Sequence, residues 1–362
     1  MGFVNGLKKV FAMKKEDILR TPVNQIDMER IQTIEQLVTA FQGSSIQSRN
    51  LGICARVWER MLTDEDRPTI ILGLSGALIA GGMRKVIRDM IKFGIVDAIA
   101  STGAVMYQDF YQSMGGQHFI GTPSADDSVL HELKIDRIYD TYVDEDIFEK
   151  TDYYIGEMLQ KKLKPGLYSS RQILDFMGSL TEDDNSILHT ARKHGVPIFS
   201  PALNDSSIGI GLTVYYKNNL SKERITLDSI KDNYEILKII ALSKKTAAIY
   251  IGGGTPKNWV NDAVVMANYT FERDIDGHSY AIQITTDSPH WGGLSGSTLE
   301  EAQSWGKVHT EATHRTVNIE ATIGLPLIVG YLLQKGVWKG RNRLKFDWGG
   351  DDLQSIAQGE KV

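Results

Sequence analysis

The stretch Thr69-Ile70-Ile71-Leu72-Gly73-Leu74-Ser75-Gly76-Ala77 decides the fold class of this chain. An apolar run leads directly into small residues, and a helical pattern follows at Met83–Phe93. Short apolar runs bounded by turn residues are typical of strands that are buried on both faces of a parallel sheet. The stretch therefore predicts a buried strand at residues 69–74 whose carboxyl end opens into a loop.

The same pattern recurs along the chain and predicts an α/β fold. Parallel strands need a crossover, which is usually a helix, and apolar runs alternate here with helical patterns. We expect one large domain with a mostly parallel, Rossmann-like sheet flanked by helices. The further predicted strands are Ala98–Ser101, Pro197–Ser200, Thr213–Tyr216, Ala247–Gly252 and Tyr280–Thr285. The other predicted helices are two segments within residues 27–62, Ser186–Lys193, Ser229–Ser243, Trp259–Asn268, Glu300–Trp305 and Gly324–Gln334.

Composition sets limits on partners and location. The 362 residues carry a formal net charge of -5 with both signs mixed, so no footprint for nucleic acid or an anionic membrane is present. The single cysteine, Cys54, excludes a disulfide within one chain and a cluster of cysteine metal ligands. No apolar run reaches the roughly 18 residues of a membrane-spanning helix. We expect a cytoplasmic protein with a small-molecule substrate and no metal.

Three regions are predicted along the chain. We expect residues 1–20 to form a flexible N-terminal arm, residues 21–340 the single large domain and residues 341–362 a C-terminal tail. No repeat or linker separates a second domain, although residues 121–185 form a more polar insertion. Ligands of open α/β sheets bind beyond the carboxyl ends of the strands. The loops that follow the predicted strands are therefore the places to look for a site.

Several strand ends carry small or polar residues. Gly252-Gly253-Gly254 lets backbone amides approach a phosphate at a helix start, although the spacing differs from G-x-G-x-x-G and a plain tight turn is the alternative. Thr102 and Gly103 offer space for a cofactor or form an ordinary helix N-cap. Asp205 binds a ribose hydroxyl or an ammonium group, or simply caps a helix.

The segment Trp291–Lys307 carries the clearest chemical signal. A glycine-rich loop leads through Ser297 or Thr298, as N-cap, into a short helix that ends at Gly306, and Lys307 follows. A partly desolvated lysine supplies the neutral amine that imine formation needs. Trp305 offers a ring face to a cation, and Glu301 offers a carboxylate to an ammonium group. The alternative is a solvated surface lysine.

The segment Glu301–Val308 resembles the catalytic-lysine segment of deoxyhypusine synthase, and the loop Gly292–Ser297 resembles the one before it. The resemblance continues in chain order over residues 20 to about 335. The matching segments are Gly43–Gly52, Leu72–Arg84, Val96–Asp109, Ser200–Gly209, Tyr250–Lys257 and Glu320–Thr322. The chain is thus identified as a member of the deoxyhypusine synthase family.

The resemblance implies an NAD-dependent aminobutyl transferase. Family members form homotetramers with active sites between paired subunits. NAD accepts a hydride from a carbon beside the secondary amine of spermidine, 1,3-diaminopropane leaves, and the four-carbon unit passes to the enzyme lysine. An acceptor amine then takes the unit, and the stored hydride reduces the new imine. The acceptor is a lysine of a translation initiation factor in deoxyhypusine synthase and putrescine in homospermidine synthases.

Roles are carried over position by position. The expected catalytic residues are Lys307 and Trp305, with His290 as a proton acceptor or, alternatively, as a structural loop residue. The expected cofactor-binding residues are Ser75, Thr102, Gly103, Asp205, Gly252, Gly253, Gly254, Thr286, Asp287, Glu320 and Ala321. The expected substrate-binding residues are Gly292, Ser295, Glu301, Trp305, Tyr107 and Asp262.

The substrate side departs from the family pattern. Tyr107 and Gln108 replace a pair of glutamates, and Ile210 and Leu294 replace acidic residues. Asn258 stands where the family has a histidine. Because a polycation needs several carboxylates, these changes favour a small diamine acceptor and a homospermidine-type product. The alternatives are deoxyhypusine synthase itself and a non-catalytic regulatory protein that binds NAD.

Overall fold

The computed structural model describes residues 14–350 and 352–362. The helices are α1 (Lys15–Ile18), α2 (Ile34–Gln42), α3 (Ile46–Thr63), α4 (Arg84–Lys92), α5 (Gly103–Ser113), α6 (Asp127–Glu132), α7 (Glu145–Lys162), α8 (Ser170–Gly178), α9 (Ile187–His194), α10 (Ser207–Asn218), α11 (Ser229–Leu242), α12 (Gly254–Phe271), α13 (Leu299–Ser304) and α14 (Ala321–Lys335). The strands are β1 (Thr69–Leu74), β2 (Ala98–Ser101), β3 (Phe119–Ile120), β4 (Ile135–Ile138), β5 (Thr141–Asp144), β6 (Gly166–Tyr168), β7 (Ile198–Phe199), β8 (Ile225–Leu227), β9 (Thr246–Ile251), β10 (His278–Thr285), β11 (Val308–Asn318), β12 (Asn342–Gly349) and β13 (Asp352–Lys361). Most of the predicted N-terminal arm lies outside the described residues.

Six parallel strands form the central sheet, in the order β11-β10-β9-β1-β2-β7. Ile71 of β1 pairs with Ala98 of β2 on one side and with Ala248 of β9 on the other. Every residue of β1 and β9 is buried. Because helices cover both faces, these strands are continuously apolar and do not alternate with polar residues. The predicted α/β fold with a mostly parallel sheet is confirmed.

The side chains of β1 alternate between two hydrophobic layers. Ile70 and Leu72 belong to a buried cluster that includes Trp58 of α3. Ile71 belongs to the cluster on the opposite face, together with Val264 of α12. The period of two along a strand sends successive residues to opposite faces, so a single strand holds both helical layers.

Residues Thr213–Tyr216 lie within helix α10, so the predicted strand at this position is wrong. Their β-branched and aromatic side chains favour a strand locally. However, α10 packs closely against α7 through glycines: a Cβ atom on Gly211 would stand 2.7 Å from the backbone oxygen of Asp152. Helix packing of this kind overrides local preference.

Residues 341–362, predicted as a tail, form an antiparallel hairpin of β12 and β13. Leu353 is fully buried in the same cluster as Ile71. The guanidinium carbon of Arg171 lies 3.6 Å from the ring centroid of Trp348, which is a stacked contact. The hairpin is thus packed onto the domain.

A buried carboxylate joins this hairpin to the sheet. Both oxygens of Asp97 accept hydrogen bonds from Arg67, at 2.8 and 2.9 Å, and from Arg341, at 3.1 and 2.9 Å. The backbone N–H of Ile70 donates a further bond at 2.9 Å. Burial alone would raise the pKa of Asp97, but the guanidinium groups of Arg341 and Arg67 overcome it and hold this pKa well below its usual range.

Replacing this carboxylate is expected to be costly. Asp97→Ala would leave two buried guanidinium groups without their carboxylate, so we expect the free energy of unfolding to fall by about 3–5 kcal/mol. Because the pKa of Asp97 is lower in the folded state, its contribution is present above about pH 4 and is lost as the pH falls further. Urea denaturation of the wild type and of Asp97→Ala at pH 7 measures this difference in the free energy of unfolding.

Asp175→Ala is the matched control, because it removes a carboxylate paired with Arg192 at the exposed surface. We expect this change to cost less than about 1 kcal/mol. Equal losses in the two variants would contradict the role assigned to the Asp97 cluster.

Candidate active site

Predicted cofactor residues meet at a groove along the carboxyl ends of β1, β9, β10 and β11. We call it the strand-end groove. It has a volume of about 220 Å³. Six of the predicted residues line it: Ser75, Gly252, Thr286, Asp287, Glu320 and Ala321. The order of the sheet thus brings together residues that are far apart in the sequence.

The glycine turn after β9 is held by serines from two other segments. The N–H of Gly253 donates to Ser75 Oγ and the N–H of Gly254 to Ser295 Oγ, both at 2.9 Å. Gly252 and Gly254 have φ values of 75° and 61°, in the region that favours glycine. A Cβ atom on Gly253 would stand 2.5 Å from the Cα of Ser295. The absent side chains therefore make room for the protein's own loops.

Two carboxylates lie at the rim of the strand-end groove. Glu320 caps α14, and its Oε2 accepts a 2.8 Å hydrogen bond from the backbone N–H of Thr322. Asp287 follows β10 and is exposed. His290 is also exposed, on a 3-10 turn at Pro289–Trp291.

A second cavity, which we call the lysine pocket, lies beside the glycine turn. Its volume is about 200 Å³, and its lining includes Lys307, Glu301, Trp305 and Leu294. Lys307 Nζ lies 2.7 Å from Asp262 Oδ1, and its side chain is 17% exposed. The same nitrogen lies 5.3 Å from the centroid of the Trp305 ring. The predicted imine-forming lysine is therefore mostly buried, in an ion pair and beside an aromatic face.

The local fold explains this placement of Lys307. Thr298 caps α13 and accepts the N–H of Glu301 at 2.9 Å. Gly306, with φ of 71°, then turns the chain into β11. The predicted cap and glycine turn are confirmed.

Lys257 is a pocket residue that the sequence analysis did not single out. It is only 2% exposed, and its Nζ donates to the backbone oxygens of Ser295 and Ser297 and, at 3.1 Å, to Ser297 Oγ. Burial lowers the pKa of Lys257 to about 8; the nearby charge of Glu301 opposes this and that of Lys307 adds to it. A lysine in the first turn of a helix is unfavourable because its charge opposes the helix dipole. This placement was the signal that the sequence offered for Lys257.

Ten of the predicted site residues line neither cavity: Thr102, Gly103, Tyr107, Asp205, Gly253, Gly254, Asp262, His290, Gly292 and Ser295. Thr102 and Gly103 begin α5, where a Cβ atom on Gly103 would collide with Ser206 Oγ. Asp205 is exposed in the turn before α10. The three lie at the ends of β2 and β7 in the same sheet. Their part in cofactor binding stays a prediction.

Tyr107 is turned into the contact between α5 and α7. It is 1% exposed, and its hydroxyl donates to the backbone oxygen of Phe148 at 2.9 Å. The neighbouring Asp152 has its pKa raised to about 6 by burial, which the nearby hydroxyl of Tyr107 partly opposes. The structure gives Tyr107 a packing role, and its predicted contact with substrate stays a prediction.

The described residues also lack certain features. In residues 14–350 and 352–362, no helix combines the length and apolar character required to cross a membrane. Within the same ranges, no group of three or more histidine, cysteine, aspartate or glutamate side chains is placed to hold a metal ion.

The fold is α/β with a candidate site at the carboxyl edge of the sheet, and comparisons with known proteins define its family. A family model described as deoxyhypusine synthase matches residues 36–332. A deoxyhypusine synthase-like protein of Chlorobaculum parvum is 41% identical over 341 residues, which cover 93% of this chain and 96% of that protein. The "Probable deoxyhypusine synthase 2" of Methanosarcina mazei is 38% identical over 344 residues, which cover 94% and 98%.

A solved structure is also similar in fold. A candidate deoxyhypusine synthase from Entamoeba histolytica superposes with a TM-score of 0.59 at 20% identity, covering 85% of this chain and 96% of that one. The chain belongs to the deoxyhypusine synthase family, and its members are transferases. Membership supports transfer of an aminobutyl group in general.

The contact at Gly253 gives a prediction. Gly253→Ala would bring a Cβ atom against the Cα of Ser295, where no side-chain rotation relieves the contact. We expect the free energy of unfolding to fall by about 1–3 kcal/mol. Gly293→Ala is the control, since no atom lies within 4 Å of its Cβ position and its φ is −72°. Urea denaturation compares the two, and equal stabilities would show that the loop does not pack on this glycine.

Proposed function

We propose that this protein is an NAD-dependent aminobutyl transferase that acts on polyamines through an imine on Lys307, with a small amine as acceptor. The observation that carries the proposal is the position of Lys307. Its amine lies in a mostly buried pocket, 2.7 Å from a carboxylate and next to an aromatic ring. A cationic substrate is favoured at such a surface, and a lysine amine is the nucleophile that forms imines.

The strand-end groove fits NAD by the chemistry of its lining. The carboxylates of Asp287 and Glu320 are acceptors for ribose hydroxyls, while Gly76 and Gly252 present backbone without side chains. Gly76 has open space at its Cβ position, which permits close approach of a ligand. Bound there, NAD would accept a hydride from the donor amine and would return this hydride in the last step of the reaction.

The residues of the lysine pocket supply the transfer chemistry. The Lys307 amine attacks the oxidised carbon of the donor, a new C=N bond forms, and the donor's C–N bond breaks to release an amine. Asp262 is within reach of the Nζ proton that must leave before this attack. The acceptor amine then attacks the same carbon and frees Lys307. His290 stays proposed as a proton acceptor at the exposed loop.

Pocket charge favours a small acceptor. Two ammonium groups, Lys257 and Lys307, face two carboxylates, Asp262 and Glu301, so these groups together are close to neutral. Leu294 adds an apolar wall. A substrate with few charges suits this lining better than a trication, which would leave ammonium groups unpaired. This supports a diamine acceptor and a homospermidine-type product.

We further propose a cytoplasmic homotetramer in which paired subunits build each active site. In one chain, Thr102, Gly103 and Asp205 line neither the strand-end groove nor the lysine pocket. A second copy that presents these residues to the groove would bring both sets into one site.

Covalent trapping tests the proposal. The protein is incubated with NAD and putrescine, spermidine or agmatine, treated with borohydride, and mapped by peptide mass spectrometry. We expect a four-carbon adduct on Lys307 that is lost in Lys307→Arg, because a guanidinium group forms no imine. Lys238→Arg, which changes a lysine paired with Asp352, should keep the adduct. No adduct with any of these amines would refute imine catalysis.

Product analysis separates the alternatives. Homospermidine in the reaction mixture supports the small acceptor. Label that passes from spermidine to a lysine of the translation initiation factor would instead identify deoxyhypusine synthase, the activity named for the Methanosarcina mazei relative. NAD binding without any product would identify a regulatory protein.

A further inference from the structure

Lys257 is a buried cation with an unusual set of partners. It lies in the first turn of α12, and its Nζ faces three oxygens: Ser297 O, Ser297 Oγ at 3.1 Å and Ser295 O at 3.4 Å. Among the described residues, no carboxylate lies within ion-pair distance, 4.0 Å, of this nitrogen. An ammonium group donates three hydrogen bonds and accepts none. All three donors thus point at one loop.

That loop, Gly292–Thr298, borders the lysine pocket and packs on the glycine turn. Leu294 and Ser297 line the lysine pocket, while Ser295 packs on the glycine turn that borders the strand-end groove. Gln283 adds a neutral tether, since its Nε2 donates to the backbone oxygens of Gly252 and Ser295, both at 2.9 Å. The position of this loop therefore sets the shape of the lysine pocket and supports the glycine turn, of which Gly252 lines the strand-end groove.

Each element that packs around Lys257 carries a charged side chain near its ammonium group. Glu301 of α13 and Asp287 after β10 favour its charged form, while Lys307 at the start of β11 opposes it. Asp262, on the same helix as Lys257, is paired with Lys307. Burying a second cation beside Lys307 costs free energy, which the three loop oxygens partly offset. A neutral side chain of this size would avoid that cost.

We propose that Lys257 is a positioning residue whose ammonium group holds the Gly292–Thr298 loop against the glycine turn and so fixes the pocket in which Lys307 reacts. This inference deepens the proposed function at the same site. Loss of the proton removes one donor and the charge from the contact. Since burial brings the pKa of Lys257 to about 8, the loop is held most firmly below this pH and loosens above it.

Hydrogen exchange measures this directly and needs no substrate. The amides of Gly254, Gly296 and Ser297 donate to the loop or within it. In Lys257→Met, we expect these amides to exchange about tenfold faster at pH 7, as for loss of a charged hydrogen-bond contact. Lys257→Arg should keep most of the protection. Lys238→Met, at a lysine remote from the loop, should leave it unchanged.

The pH profile separates positioning from simple packing. After correction for intrinsic exchange, protection of the loop in the wild type should fall between pH 7 and 9, whereas Lys257→Arg stays charged and should show no such fall. Unchanged protection in Lys257→Met, or identical profiles for wild type and Lys257→Arg, overturns the inference. The wild-type and arginine profiles decide the question even where the methionine variant fails to fold.

Trapping run in parallel keeps the two proposals distinct. If the wild type forms the Lys307 adduct, Lys257→Met should reduce its rate about tenfold or more, and Lys257→Arg should restore much of it. If no adduct forms in the wild type while loop protection still follows Lys257, the imine chemistry fails and the positioning role stands.

Discussion

The docking of Ser75 and Ser295 on the glycine turn is the contact on which the candidate site depends. The first backbone N–H groups of a helix have no partner within the helix. At the start of α12, serine hydroxyls satisfy the N–H groups of Gly253 and Gly254. The glycine turn after β9 therefore connects the end of β1, through Ser75, to the loop that follows β10, through Ser295. Both cavities take their shape from this junction.

Lys307 and the loop that faces it are held in place in different ways. Lys307 is anchored on both sides of its own backbone: its N–H donates to Ala302 at 3.1 Å, and its carbonyl accepts from His278 at 3.0 Å. The loop that faces Lys307 contains a single 3-10 turn, Leu294–Gly296, and is held by the side chains of Lys257 and Gln283. A lysine held by its own backbone and a facing loop held by side chains together keep the groups of the pocket in a defined geometry.

Local sequence was sufficient to predict the strands that are buried on both faces of the sheet. The apolar runs of β1 and β2 predicted their bounds correctly, and Gly306 and Thr298 predicted the approach to Lys307. Strand β11 was missed because it lies at the sheet edge, where polar residues such as Thr310 and Arg315 replace an apolar run. The false strand at Thr213–Tyr216 and the missed Lys257 have one cause. Both depend on partners far away in the sequence, which periodicity does not reveal.

The buried pairing of Asp97 with Arg341 has a consequence for how the chain is made. Asp97 stands at the start of the second central strand, and its partner comes 244 residues later. Synthesis proceeds from the N-terminus, so Arg341, one of the two guanidinium partners of Asp97, becomes available only after all six strands of the central sheet have been made. Contacts of such long sequence separation form late and slow folding. The hairpin of β12 and β13 thus packs onto the sheet late in synthesis. A nascent chain that lacks it would leave Asp97 without the Arg341 hydrogen bonds.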